Sequence, residues 1–413
     1  MSTLFNRLRY EIVQYKKGLP SVAAFGITER CNLHCKMCRF WVDGNHDAEN
    51  ELKTDQICDM IDKLIDDLGV RRIRLVGGEP FIRGDTVQII RHAKTRGIHV
   101  NVVTDGFEIS EELADQIVES GMDTLRFSLD GVGEIHDKVR GKVGCYRRTA
   151  DSIRYIQEAK KRRGVSHPEV QIFSVITNIN YDQVLPLWNE SKTTFAPSCY
   201  LFGTVVEVTP EMVEESIWNE KQLLDNHYIP IGKSLQLSDE QRAVFDSHVR
   251  QISGKQESEV PRNILNWLIR LFFNTTKCPE SYSIHIDPAG HVTFCPFYTN
   301  YSYGKYPEMP VKHIWFSRKH AEFMQKINTG GPLSVCNEIC GQTARYYVGN
   351  PRQLARNLLL RMIRSPLNSR RTELFQFETP DVEIKSRSEV MEKVDAWRKK
   401  VGSKPRSLGY TNR

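Results

Sequence analysis

Residues 22–38 read VAAFGITERCNLHCKMC, an apolar run that breaks directly into three cysteines, Cys31, Cys35 and Cys38. Short apolar runs closed by a polar turn suit a buried strand of a parallel sheet. Thiols four and three residues apart in the loop that follows can converge on one side. Working outward, the same unit recurs to about residue 210: an apolar, β-rich run, a turn, then a charged amphipathic helix. Strands are predicted over 21–27, 71–76, 98–103, 123–129, 169–176 and 202–208, and helices near 54–68, 85–96, 110–120, 146–163 and 181–189. Each helix is long enough to carry a crossover between parallel strands. The fold class is therefore α/β, an open, partial (β/α)6 TIM-like barrel over 20–210 with its chemistry at the C-terminal ends of the strands. An ordinary doubly wound sheet is the competing architecture.

Beyond the barrel, 211–275 reads as a helical bridge carrying ESIWNEKQLLDNH, SDEQRAVFDSHVRQIS and RNILNWLIRLFF. Residues 276–348 switch to short strands and turns: YSIHID and HVTFC form a hairpin around Pro288-Ala289-Gly290, 299–310 is a loop and 312–327 a helix. So irregular a segment has little periodic apolar surface, and a small domain organised by its cysteines accounts for it best. Residues 349–413 are a basic extension. The 413-residue chain holds 57 basic and 51 acidic residues; 15 and 7 of these lie in 351–413, which leaves 42 against 44 elsewhere, so the positive balance belongs to the tail. Within 351–364, Leu354, Leu358, Leu359, Met362 and Ile363 share one helical face; packing on the barrel is the leading reading and peripheral membrane contact the alternative. No aromatic ladder accompanies the charge, which argues against nucleic acid. The sequence lacks a run of about 18 apolar residues and its start lacks an apolar signal core, so a cytoplasmic protein is expected.

Ten cysteines are too sparse for a disulfide framework, yet seven fall into two groups: Cys31, Cys35 and Cys38, then Cys278, Cys295, Cys336 and Cys340. Grouped thiols in a reducing compartment point to metal. Cys58, Cys145 and Cys199 read as isolated buried hydrophobes. Soft sulfur ligands select iron–sulfur clusters, copper or zinc. Zinc would want a fourth ligand, for which His34 is in reach; a [4Fe-4S] cluster on three cysteines would keep one iron open.

The Cys-x3-Cys-x2-Cys array resembles the defining motif of the radical S-adenosylmethionine (radical SAM) enzymes, with Met37 in the apolar place before the last cysteine. Further stretches match in order: Gly77-Gly78-Glu79-Pro80, similar to the GGEP motif that holds the cofactor's amino group; Thr104-Asp105-Gly106, where many members have Asn in place of Asp105; Ser128-Leu129-Asp130-Gly131; and His136-Asp137-Lys138-Val139-Arg140-Gly141, in which Arg140 would reach the cofactor carboxylate. The resemblance implies S-adenosyl-L-methionine as cofactor, a [4Fe-4S] cluster on Cys31, Cys35 and Cys38, cofactor contacts from Met37, Gly77, Gly78, Glu79, Pro80, Thr104, Ser128 and Arg140, and a flavodoxin- or ferredoxin-like electron donor. Physically, Gly77 and Gly78 let backbone approach a ligand, and Glu79 offers an anion to an ammonium group.

The later cysteines resemble the SPASM and twitch auxiliary domains. Four cysteines, Cys278, Cys295, Cys336 and Cys340, imply one auxiliary [4Fe-4S] cluster; a structural zinc site with the same four cysteine ligands is the alternative. The expected activity is reductive cleavage of S-adenosylmethionine to a 5′-deoxyadenosyl radical and abstraction of hydrogen from an unactivated carbon, with oxidation of a small biosynthetic intermediate as the leading outcome. Alternatives are a peptide maturase forming a crosslink or thioether, modification of a lipid-like substrate, and a non-enzymatic zinc-stabilised binding protein. Only about 30 residues precede Cys31, too few for a leader-peptide-binding domain. Cys199, entering the sixth strand, is expected on the active-site rim as a hydrogen donor, with Tyr200 and Glu207 as substrate contacts.

Overall fold

The computed structural model describes residues 10, 14, 18–218, 221–224, 229–253, 283–329 and 345–349, the last five by backbone alone. All of them lie in one compact unit, Met1–Phe375. In chain order the elements are β1 (Val22–Thr28), α1 (Phe40–Asp43), α2 (Thr54–Asp66), β2 (Arg72–Gly77), α3 (Thr86–Thr95), β3 (His99–Thr104), α4 (Glu111–Glu119), β4 (Thr124–Ser128), α5 (Glu134–Arg140), α6 (Cys145–Arg163), β5 (Glu169–Ile176), α7 (Val184–Thr194), β6 (Cys199–Thr204), α8 (Pro210–Glu215), β7 (Ile217–Trp218), β8 (Lys221–Gln222), α9 (Asp239–Ser253), β9 (Ser283–Ile286), β10 (His291–Thr293), β11 (Gly304–Lys305), α10 (Val311–Trp315), α11 (Arg318–Thr329) and β12 (Arg345–Gly349).

Strands β1 to β6 pair in sequence order, all parallel, within a ten-stranded mixed sheet of order β11-β10-β9-β1-β2-β3-β4-β5-β6-β12. This is a sheet consistent with a partial (β/α) barrel, as the repeated strand and helix units predict. The helices cover one face. Ile73, Leu75, Val100, Val102, Leu125 and Phe127 alternate along their strands and are almost fully buried, in one cluster with Ile57, Met60, Ile61 and Leu64 of α2. Those α2 positions recur at helical spacing, and each buried aliphatic side chain contributes about 1.5–3 kcal/mol.

Four expectations are corrected. The sixth strand runs over Cys199–Thr204 instead of 202–208, because its partner β5 ends at Ile176 opposite Thr204 and no strand residue follows to pair with Val206 or Val208. The described residues of ESIWNEKQLLDNH do not form the expected helix: α8 stops at Glu215, and β7 and β8 form a two-stranded ribbon. The hairpin of β9 and β10 forms as predicted, but β9 pairs parallel to β1, so it extends the main sheet. Within the loop expected at 299–310, Gly304–Lys305 adds β11 to that hairpin. RNILNWLIRLFF, Cys278, Cys336, Cys340 and the segment 351–364 lie outside the described residues. Among those described, no helix is long and apolar enough to cross a membrane.

Candidate active site

Three loops at the C-terminal ends of the parallel strands lock around the cysteines. Parallel pairing of β1 with β2 continues past the strands: Gly78 N donates to Thr28 O at 2.8 Å and Glu79 N to Arg30 O at 2.9 Å. The approach is so close that a Cβ on Gly77 would stand 2.0 Å from Thr28 O and one on Gly78 2.1 Å from Arg30 O. These glycines are therefore required by protein against protein, seating the loop that leads into Cys31. From the other side, α5 ends against the same loop. His34 N donates to Arg140 O and Lys36 N to Val139 O, at 3.2 and 2.9 Å. Gly141 closes α5 in the left-handed region at φ 70°, and a Cβ there would fall 2.2 Å from His34 O.

Within this frame Cys35, Leu33 and Cys145 form a small buried patch, with Cys31, Met37, Cys38 and Phe107 packed against it. Burial pushes the thiols of Cys31 and Cys35 up to about 12 and raises that of Cys38, so the thiolates want a cation that the side chains alone do not supply. Arg140 is one protein cation beside them: its Nη1 lies 3.7 Å from Cys35 Sγ. Its Nε is 2.7 Å from Oδ2 of fully buried Asp130, a charge contact whose angle falls short of a well-aligned hydrogen bond. Asp130 is itself fixed by Val175 N on Oδ1, and its own N–H donates to His136 Nδ1. That bond leaves the His136 hydrogen on Nε2, 3.5 Å from Cys145 Sγ, and burial keeps the ring neutral.

Opposite the thiols sit two buried carboxylates. Glu79 accepts from Phe81 N, Thr104 Oγ1 and Asp105 N, at 3.0, 2.8 and 2.7 Å. Burial and then the neighbouring Asp105 charge raise its pKa well above the usual carboxylate range. Asp105 is 6% exposed; burial raises it to about 6, Phe107 N donates to its Oδ1, and its Oδ2 has no hydrogen-bond partner among the described residues. Two buried carboxyl groups with one oxygen unsatisfied form a recess suited to an ammonium group.

The structure thus gathers Cys31, Cys35, Cys38, Met37, Gly77, Gly78, Glu79, Pro80 and Arg140 at one end of the sheet, with Ser128 half-buried at the end of β4. Thr104 is there too, but its Oγ1 donates to Glu79 and accepts from Gly106 N, so it positions the carboxylate. Cys199 is corrected: it opens β6 opposite Gln171, near the N-terminal start of β5, at the far end of the strands from the cysteine loop. Tyr200 is buried with its hydroxyl donating to Leu187 O, and Glu207 accepts from Ser234 Oγ and Leu235 N. Sequence reasoning had given Asp105 no role and read Cys145 as isolated; the acid in a Thr-Asp-Gly turn directly after a strand was the available signal for Asp105. Of the later cysteines, Cys295 is described and buried just after β10.

Among the described residues no three His, Cys, Asp or Glu side chains stand in ligand geometry around a common point. The donor set nonetheless fits an iron–sulfur cluster: three soft thiols on one loop, raised by burial, beside an anionic recess and a buried arginine. Such a site belongs to the class of enzymes that do radical chemistry on an adenosylated sulfonium. The radical SAM superfamily profile matches residues 25–184, and the chain belongs to that superfamily. It is 24% identical over 330 residues to the Fe-coproporphyrin III synthase of Methanosarcina barkeri, covering 75% of this chain and 77% of that protein. It is 31% identical over 172 residues to the pre-heme d1 synthase of Dinoroseobacter shibae, covering 41% and 40%. Against that relative and the M. barkeri AdoMet-dependent heme synthase, the match spans about half of their length or less. Two solved structures share the fold: Streptococcus suis SuiB, with TM-score 0.54 and 16% identity over 75% of this chain and 69% of that one, and anSMEcpe with bound AdoMet, with TM-score 0.52 and 17% identity over 74% and 82%.

Proposed function

We propose that the protein reductively cleaves S-adenosylmethionine at the Cys31, Cys35 and Cys38 site and oxidises a small biosynthetic intermediate by removing hydrogen from an unactivated carbon. The observation that carries this reading is the convergence of three thiols, the buried Glu79 and Asp105 carboxylates and Arg140 on one end of the sheet. The cluster and cofactor supply an electron and a 5′-deoxyadenosyl radical; the chain binds, orients and excludes water. Glu79 and Asp105 would take the cofactor's ammonium group, Arg140 would meet its carboxylate, and Ser128 at the end of β4 would flank it. A second cluster on Cys278, Cys295, Cys336 and Cys340 would accept the electron left on the substrate, and a flavodoxin- or ferredoxin-like protein would deliver the first one. Relatives named for heme and coproporphyrin synthesis support a small-molecule substrate. Relatives named PqqA peptide cyclase and mycofactocin maturase favour peptide maturation as the second reading.

The test is anaerobic reconstitution followed by iron and sulfide analysis and by assay of 5′-deoxyadenosine after dithionite reduction. About eight iron atoms per chain, for two [4Fe-4S] clusters, and formation of 5′-deoxyadenosine are expected. Bound zinc with no S-adenosylmethionine cleavage would overturn the enzyme reading in favour of a zinc-stabilised binding protein.

A further inference from the structure

Three segments meet on one buried carboxylate beside the cysteine loop. The side chain of Glu51 is 5% exposed. Its Oε1 accepts from Thr28 Oγ1 and from Arg30 Nε at 3.1 Å, and its Oε2 accepts from Arg30 Nη2 at 3.0 Å and Arg83 Nη1 at 3.3 Å. Thr28 ends β1, and Arg30 stands immediately before Cys31. Arg83 closes the short 3-10 turn Pro80–Ile82 that Glu79 opens, its N–H donating to Pro80 O at 3.2 Å. One carboxylate therefore holds the loop of the three thiols and the loop of Glu79 at once. The backbone bonds from Gly78 and Glu79 to Thr28 and Arg30 join the same two loops directly. Glu51 joins them a second time, through side chains and from a segment outside both motifs.

The joint is itself fixed. Glu51 N donates to Ala48 O at 3.2 Å, and the next residue, Leu52, donates its N–H to Pro288 O at 2.7 Å in the turn between β9 and β10. Leu52 O accepts from Arg83 Nη1 at 3.1 Å. Arg83, its side chain 7% exposed, also donates to Ile27 O at 2.8 Å, while its Nε and Nη2 grip Asp85 at 2.9 and 2.7 Å. Both carboxylate oxygens of Glu51 and all three side-chain nitrogens of Arg83 are engaged by protein, so the cluster works as a joint and not as a binding pocket. Paired bonds from an arginine fork fix angle as well as distance, and low exposure strengthens them. Such a joint bears on chemistry because the thiols and the recess of Glu79 and Asp105 must face one ligand together. A shift of about 1 Å between two parts of a reactive site can lower its rate on the order of a hundredfold, even when the altered residue touches no substrate.

We infer that Glu51 is a positioning residue for S-adenosylmethionine, setting the cysteine loop and the Glu79 loop at the spacing that one bound cofactor bridges. The inference rests on the proposed radical chemistry for the identity of that cofactor. The test uses anaerobically reconstituted full-length protein: equilibrium dialysis with S-adenosylmethionine in the absence of reductant, then 5′-deoxyadenosine formation under dithionite over a range of cofactor concentrations. Glu51→Gln keeps the shape of the side chain and loses its charge. It is expected to weaken cofactor binding about tenfold and to raise KM in step, while iron per chain stays at the wild-type level because all three thiols remain on one loop. Glu51→Asp keeps the charge on a shorter arm and is expected to fall between. Adding Arg30→Gln to Glu51→Gln is expected to change little further, because both act through one contact. Asp123→Asn supplies the structural control. It removes a comparable pair, with Lys94 Nζ at 2.6 Å and the Val100 N–H at 2.8 Å, at the opposite end of the sheet, just before β4. That variant is expected to lose stability to denaturant and to bind S-adenosylmethionine as wild type does. Should Glu51→Gln not fold, Arg30→Gln carries the same comparison, since the Arg30 side chain is 28% exposed. Wild-type affinity and KM in the folded variant, or a loss of affinity that Asp123→Asn reproduces at matched stability, would overturn the inference. A wild type that neither binds nor cleaves S-adenosylmethionine would overturn the radical reading and this role with it, whereas an active wild type beside an unaffected variant removes only the role of Glu51.

Discussion

Cys31, Cys35 and Cys38 sit in surroundings different from those of Cys295. Cys31, Cys35 and Cys38 occupy a patch of their own, walled by backbone from β2 and α5 and flanked by buried charge: Arg140 and Asp130 on one side, Glu79 and Asp105 on the other. Cys295 instead belongs to the main hydrophobic cluster, close in sequence to Phe294, Tyr298 and Tyr301, whose rings meet Phe323 of α11. The first environment has the fixed charges that a ligand with its own amino and carboxylate groups requires. The second is apolar and aromatic, which suits a group fully ligated by protein and shielded from water. The comparison teaches that thiols alone do not distinguish a reactive site from an enclosed one; the buried charges around them do.

The strongest way to break this comparison is to remove the first group. Cys31→Ala, Cys35→Ala and Cys38→Ala together are expected to abolish 5′-deoxyadenosine formation to background under dithionite while leaving iron at the second group. Near-wild-type cleavage by the triple variant would show that the charged patch is not the reactive site.

Why the first group was readable in sequence and the second only in outline follows from geometry. Motifs ending β1, β2, β3 and β4 are brought together by a topology in which consecutive parallel strands lie side by side, so their order along the chain is their order in space. The partner of the β9 hairpin had no such guide, because strand periodicity gives a buried face and not a neighbour. The sixth strand was misplaced for a related reason. The run VVEV after Thr204 has strand character, but Val205 N makes the last bond to Ile176 O, and the strand lies earlier than its composition suggests. Under either boundary Cys199 lies at the N-terminal end of this strand, whereas the cysteine loop lies at the C-terminal ends, so entering the strand placed it away from the rim. The role of Gly141 was hidden because HDKVRG resembles a ligand-facing motif, whereas its backbone carbonyls hold His34 and Lys36.

A smaller perturbation sharpens the same contrast. Gly141 and Gly144 both have left-handed backbone, at φ 70° and 79°, yet a Cβ at Gly141 meets His34 O while one at Gly144 meets nothing within 4 Å. Gly144→Ala is expected to cost about 1 kcal/mol of unfolding free energy from strain alone. Gly141→Ala should lose at least about 2 kcal/mol and also lower the iron retained at the first group, because the cysteine loop must move. Equal stability and equal iron in the two variants, by denaturant titration and iron analysis, would show that α5 does not brace the loop.

The smallest effect on the first site is expected from changing the second. Cys336→Ala with Cys340→Ala removes two of the four later thiols and is expected to release about four iron atoms per chain. If the two groups act independently, 5′-deoxyadenosine formed under dithionite should stay within about twofold of wild type, as for perturbations at separate sites. Circular dichroism and gel filtration must first show that the variant folds, since a lost cluster also removes stabilising ligation. With a substrate deuterated at the reacting carbon, label is still expected to appear in 5′-deoxyadenosine, while the oxidised product does not form. Hydrogen abstraction needs only the charged site, whereas the remaining electron has no acceptor. Oxidised product from a folded variant lacking those four irons would assign the electron's exit to another route and leave the Cys295 region a structural or substrate-placing role. Loss of 5′-deoxyadenosine itself would show instead that the two cysteine groups are coupled, against the independence expected.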